Sequence, residues 1–205
     1  MTNIWLNLIN NSSDRNNDGI VIFQKNEASI NEAPVAWRVI HNLGAGWSHP
    51  FTYPVAMAVA ASDGLGNYSL QLPAATGQQY KLITADSGDV LQHNGPAAHE
   101  DEIIIYNAQA TGIIDIHVYR DGKLLALKKN VEPGQPAVFQ FKPTLWIGVA
   151  HAVTEGALID SAFTSQVHTQ LSLSGISSAD IIMTGGGLGP DTTPVLFSLQ
   201  NVRYA

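Results

Sequence analysis

No cysteine occurs among the 205 residues, which excludes disulfides, thiol nucleophiles and cysteine-ligated zinc together. The absence fits the cytosol and is compatible with export, because a chain of this length buries enough apolar surface to fold without staples. Charge is scarce too: 13% of residues are charged, with ten cations against seventeen anions and a formal net charge of −7. No basic cluster is longer than Lys128-Lys129. That is too little to hold a phosphate backbone, so nucleic acid is not an expected partner. No run approaches the roughly 20 apolar residues of a membrane helix, so no membrane span is expected. Met1-Thr2-Asn3-Ile4-Trp5-Leu6-Asn7 has no basic region, no unbroken apolar core and no small-residue cleavage site. The expectation is a soluble, acidic, cytoplasmic protein, or one released without a cleavable signal peptide. On that reading the sequons at Asn10, Asn11 and Asn67 are chance matches.

What the chain does have is period-two alternation, punctuated by Gly, Pro, Asn and Asp about every ten residues, the pattern of sandwiches and barrels. Ile4, Leu6 and Leu8 point one way while Asn3, Trp5 and Asn7 point the other. Ala137, Phe139 and Phe141 alternate with Val138, Gln140 and Lys142, and Leu145, Ile147 and Val149 continue the pattern. Asp121-Gly122 between Ile114-Ile116-Val118 and Lys123–Leu127 predicts a two-residue hairpin. Further strands are expected near 19–25, 35–41, 51–60, 67–72, 79–85, 102–107, 167–173, 179–184 and 194–203, with turns at Asp63-Gly64, Ser87-Gly88, Asn94-Gly95-Pro96 and Pro133-Gly134. Residues 154–166 leave helix and strand open, because Ile159, Phe163 and Val167 fit both periods. The fold class is therefore all-β, an antiparallel β-sandwich over residues 1–205. An echo between Asn11-Ser12 leading to Ile20–Lys25 and Ala110-Thr111 leading to Ile114–Tyr119 raises a subdivision into related half-domains, 1–95 and 102–205. Glu100-Asp101-Glu102 before Ile103-Ile104-Ile105 reads as a gatekeeper for a sticky strand.

Several patterns suggest chemistry, and each has a structural explanation. Asp14, Asn16, Asp18 and Gly19 follow a calcium-loop spacing, but Lys25 stands where the bidentate carboxylate belongs, so a polar turn is favoured. Gly185-Gly186-Gly187-Leu188-Gly189-Pro190 follows a strand, yet Asp191-Thr192 leads to another strand instead of a phosphate-binding helix N-terminus. Ser48 and Ser177 sit in imperfect nucleophile-elbow patterns, ending in Pro50 and Ala179. Asp115, His117 and Tyr119 share one strand face but make no complete ligand set, the second imidazole having to come from His41, His49 or His93. No catalytic residue, metal set or cofactor is assigned.

The aromatics carry the better signal. Trp47, His49, Phe51, Tyr53 and Tyr68 stand in or beside Gly/Pro/Asn-rich segments with Asp63 and Asn67 nearby. An aromatic face with amides and carboxylates suits the C–H side and the hydroxyls of a sugar; the competing reading is that the rings plug the end of the sandwich. The candidate ligand-binding residues are Trp47, His49, Tyr53, Asp63, Asn67 and Tyr68.

The segments Ile22–Asn26, Phe139–Gly148 and Ile176–Gly187 resemble stretches of a family of small, mostly uncharacterised bacterial all-β proteins, along the whole chain. The resemblance implies a full-length bacterial unit and transfers no activity and no site residue. The expected function is a non-enzymatic binding module, lectin-like or cell-surface-directed, with a glycan as partner. A self-assembling structural or storage protein, a homo-oligomer, is the alternative, and a metal-dependent enzyme comes last.

Overall fold

The computed structural model describes residues 3–14, 18–29, 32–160, 168–188, 190 and 192–205. Among these, sixteen strands form four four-stranded sheets. The first four are β1 (Ile4–Asn10), β2 (Gly19–Phe23), β3 (Arg38–Ile40) and β4 (Ser48–Tyr53). The next are β5 (Met57–Asp63), β6 (Leu72–Ala74), β7 (Gln78–Ala85) and β8 (Gly88–Pro96). Then come β9 (Glu102–Asn107), β10 (Ile114–Arg120), β11 (Lys123–Val131) and β12 (Pro136–Gln140). The last are β13 (Thr144–Ala150), β14 (Thr169–Ser172), β15 (Ile176–Gly186) and β16 (Thr193–Tyr204). The all-β class read from alternation is what the chain adopts.

Two compact units form. The first comprises Met1–Gln24, Val35–Val55 and Pro143–Ala205, the second Lys25–Pro34 and Ala56–Lys142. The first holds the sheets β16-β15-β1-β4 and β14-β13-β2-β3, the second β8-β7-β9-β12 and β6-β5-β10-β11. These are not residues 1–95 and 102–205, since residues 97–101 connect β8 to β9 inside the second unit. Nor is the pairing wholly antiparallel: β1 runs parallel to β15, and β7 to β9. In neither pair does a tight hairpin join the strands, so nothing local imposes an antiparallel turn.

The two units share one topology. Quarter β1–β4 matches β9–β12, and β13–β16 matches β5–β8, so each unit combines one quarter of each kind. The registers agree: Leu6 pairs with Phe51 as Ile103 pairs with Phe139. The turns agree as well. Asn10 N–H donates to Trp47 O, and Asn10 O accepts from Gly46 N–H; Asn107 does the same with Gln135 and Gly134. Gly46 and Gly134 have φ of 77° and 79°, the left-handed conformation in which glycine avoids a Cβ clash.

Alternation explains most burial. Ile4, Leu6 and Leu8 are buried on β1 while Trp5 is exposed, and Ile116 and Val118 are buried beside Val59 and Ala61. Strand β2 is buried throughout, since Val21 and Phe23 cluster with Ala36 and Ile159. Residues 154–160 form a turn over that cluster, with Gly156 N–H donating to Ala36 O and Ala36 N–H to Ala157 O. They are neither helix nor regular strand, and the remainder of the ambiguous segment, 161–166, lies outside the described residues.

Other expectations shift for local reasons. The strand expected over 51–60 breaks at Pro54-Val55-Ala56, where β4 ends in one unit and β5 begins in the other. Asn94-Gly95-Pro96 is not a hairpin turn but the end of β8, at a register shift against β7. Ile103, Ile104 and Ile105 are all buried, because β9 lies between β12 and β7 and is not an edge.

The Asp121-Gly122 hairpin forms with φ of 54° and 69° at its two central residues, as a type I′ turn demands. A Cβ on Gly122 meets nothing within 4 Å, so the cost of a side chain there is backbone strain alone. Gly122→Val is expected to destabilise the protein by about 1 kcal/mol or more, read from the urea midpoint. An unchanged midpoint would show that the turn tolerates a branched residue and is of another type.

Candidate functional site

The outward face of the β16-β15-β1-β4 sheet carries a groove of about 300 Å³, lined among others by Trp5, Asn7, Asp180, Asn201 and Arg203. Trp5 faces outward because Ile4, Leu6 and Leu8 claim the core, and the residue is 66% exposed. Parallel register sets Trp5 beside Ser178 and Asn7 beside Asp180. Asp180 Oδ1 accepts from Asn7 Nδ2 at 3.3 Å and Oδ2 accepts from Asn201 Nδ2 at 2.6 Å. Each amide keeps a second N–H and its carbonyl oxygen.

Asn201 owes its position to a bulge. Ser178 pairs with Arg203 and Asp180 with Gln200, so β16 has one residue more than β15 between these pairs, a device that re-aims a side chain. Asn201 has φ of 50°. In the second unit β7 and β8 shift register at the corresponding place, and the matching residue, counted from Tyr80↔His93 against Ile181↔Leu199, is Gly95 with φ of 95°. Glycine would hold this backbone without strain; asparagine adds the amide that clamps Asp180. Likewise the residue matching Trp5 in β9 is Glu102, so this topology does not itself need an aromatic there.

The residues expected from sequence to bind ligand divide between the units. Trp47 is exposed in the turn before β4, and His49 is half-buried on β4. Tyr53 is 3% exposed. Its ring meets Trp37 edge-on at 6.0 Å and its hydroxyl lies 3.2 Å from Gln24 Nε2. It is a core residue, as is Phe51, because both share the inward face of β4. Neither is available to a ligand.

Asp63, Asn67 and Tyr68 come together in the second unit. Asp63 Oδ1 accepts the backbone N–H groups of Leu65 and Asn67, and Oδ2 accepts Asn67 Nδ2 at 2.7 Å. These bonds, the Asn67 amide first, hold the Asp63 carboxyl below the usual carboxylate range. Asp63 and Asn67 therefore brace the loop. Tyr68 is 64% exposed, with its ring 5.3 Å from that of His117. Ser62 Oγ lies 2.9 Å from His117 Nε2, and Tyr119 stacks on the same imidazole at 6.2 Å. Burial lowers the His117 pKa against the opposing field of Asp115, and raises that of Tyr119 with a further contribution from Tyr68.

The other sequence patterns resolve structurally. Gly19–Phe23 is a strand, which cannot curl around a cation as a calcium loop does, and Asp18 Oδ1 lies 3.0 Å from His151 Nδ1. Asn16 of that pattern lies outside the described residues, as do Gly189 and Asp191 of the glycine-rich run. Gly185 and Gly186 belong to β15 and serve close backbone packing. Ser48 lies on β4 and Ser177 on β15, where its hydroxyl donates to Arg203 O at 3.1 Å; neither is on an elbow. Asp115 Oδ1 accepts Asn130 N–H, and His93 Nε2 lies 2.6 Å from Gln78 Oε1. Among the described residues no group of three His, Asp or Glu has the arrangement of a metal site.

Comparison with protein-family models, curated proteins and solved structures found no match to this chain.

Proposed function

We propose that the chain is a carbohydrate-recognition protein whose first unit lays an uncharged oligosaccharide across the Trp5 groove. The observation that supports this best is the exposed Trp5 ring beside a carboxylate clamped by two amides. An indole face shields the C–H side of a sugar ring, while fixed amide and carboxylate groups meet hydroxyls without having to be ordered first. The groove crosses four strands, about 14 Å at the usual spacing, enough for a short chain of rings. Arg203 adds donors at one end. The low charge of the whole protein agrees with a ligand held by stacking and neutral hydrogen bonds.

A glycan array followed by calorimetry on the strongest binder tests this reading. Trp5→Ala is expected to weaken binding at least tenfold, about 1.4 kcal/mol, while Trp47→Ala leaves it unchanged. Asn201→Gly is expected to keep the bulge and the melting temperature while weakening binding, because glycine suits the backbone but lacks the amide. Affinity should change by less than about twofold between low and high salt, since neutral contacts are little screened. Binding that survives Trp5→Ala intact, or collapses steeply with salt, overturns the assignment.

A further inference from the structure

We propose that the second unit carries a separate sugar platform centred on Tyr68, so that one chain engages two saccharide groups. The platform goes beyond the Trp5 groove and shares no residue with it.

Its ring is held in place before any ligand arrives. Asp63 pins the loop through three hydrogen bonds, Ser69 N–H donates to Ala61 O, and Ala61 N–H donates to Ser69 Oγ. Behind the ring, His117 is buried and fixed between Ser62 and Tyr119. Little side-chain entropy remains to be lost on binding. An exposed aromatic so supported serves the fold poorly, because 64% of its surface stays in water; it serves a ligand well.

Beside the ring lies a cavity of about 190 Å³, lined among others by Ser62, Ser69, Leu82 and Asp89. Asp89 Oδ1 already accepts from Thr84 Oγ1 at 2.9 Å, which orients its carboxylate. Hydroxyl donors of a ligand suit that carboxylate, whereas an anionic ligand would meet Asp63 and Asp89 unfavourably. The cavity falls below the range of about 300–1,000 Å³ typical of pockets for drug-sized ligands. It therefore takes one terminal sugar ring, in contrast to the extended groove on the first unit.

Saturation-transfer NMR of the full chain with the methyl glycosides of glucose, galactose, mannose and N-acetylglucosamine tests the platform. Trp5→Ala should retain transfer to at least one glycoside, and Trp5→Ala combined with Tyr68→Ala should lose it more than tenfold. Tyr68→Leu in the Trp5→Ala background keeps apolar bulk but no ring face, and should lose it too, with an unchanged melting temperature showing that the fold is intact. If Trp5→Ala alone abolishes all transfer, the Tyr68 platform is wrong while the first groove stands. If Tyr68→Ala alone abolishes it, the platform stands and holds every single ring, while the Trp5 groove is judged by the oligosaccharide titration alone. Transfer that persists in the double variant overturns the platform.

Discussion

Gly185→Ala is expected to cost about 2–5 kcal/mol, summing left-handed backbone strain and overpacking, and to show as a large fall in the urea midpoint. A Cβ built on Gly185 would lie 2.1 Å from Pro194 O and 2.9 Å from its carbonyl carbon. Both are backbone atoms, so no rotamer change relieves the clash. The φ of 89° adds strain for any L side chain. The neighbouring Gly186 is equally confined, its Cβ position lying 2.5 Å from Asp14 N. Here β15 is threaded between the end of β1 and the start of β16, with Ser13 N–H donating to Gly185 O. Gly134→Ala is the control: φ is 79° there, but a Cβ meets nothing within 4 Å, so only the conformational part is lost, about 1–2 kcal/mol. Equal losses in the two variants would mean that packing at Gly185 is not what demands glycine.

The glycine-rich run thus illustrates what could be read in advance. Its misfit to a phosphate loop is visible in the sequence, since the pattern of another strand follows it, but the atoms that demand glycine come from Pro194 and, for the next residue, from Asp14, far away in sequence. Strands were legible because alternation is local; their partners were not. The echo between residues 20–25 and 114–119 pointed at a real topological repeat, yet its register is off by two. Val59 and Ile147, each eight residues after Phe51 or Phe139, pair with Val118 and Ile22, so Ile20 answers to Ile116. Nothing in the sequence announces that each unit takes one quarter from either half of the chain.

The candidate site was half legible for the same reason. Trp5 reads as outward-facing from Ile4, Leu6 and Leu8, but Asp180 and Asn201 reach it only through the pairing of β1 with β15 and a bulge in β16. The aromatics that crowd together along the chain, within residues 47–68, divide between the two units instead. Period-two spacing puts Phe51 and Tyr53 on one face, and the fold turns that face inward. The Ser62–His117 pair joins strands 55 residues apart and had no local signal beyond a histidine among apolar neighbours.

Asn107→Ala is expected to destabilise the protein by about 3 kcal/mol, three hydrogen bonds being lost at about 1 kcal/mol each, the one to Val131 O fully buried. Asn107 is fully buried at the end of β9. Its Nδ2 donates to Gly112 O and Val131 O, both at 2.9 Å, and its Oδ1 accepts Gln109 N–H at 3.2 Å. The matching residue in the first unit, Asn10, donates from Nδ2 to Leu43 O and accepts from Ser12 N–H and Ser12 Oγ. Two asparagines at equivalent strand ends doing equivalent work point to a requirement of the topology itself. Asn107→Asp sharpens the test, because it keeps the acceptor but turns the donor into an oxygen facing two carbonyls. Burial and those carbonyls would raise the folded pKa of the new carboxyl above its unfolded value of about 3.9. The folded state then binds more protons than the unfolded one between these pKa values, so the variant loses stability as pH rises through that window and recovers part of it as pH falls. Urea titrations at pH 7 and near pH 4 should therefore show the gap between Asp variant and parent narrowing at the lower pH, while the Ala variant shows no such change. An Ala variant within about 0.5 kcal/mol of the parent, the usual range of surface substitutions, would mean that these hydrogen bonds do not hold the strand end.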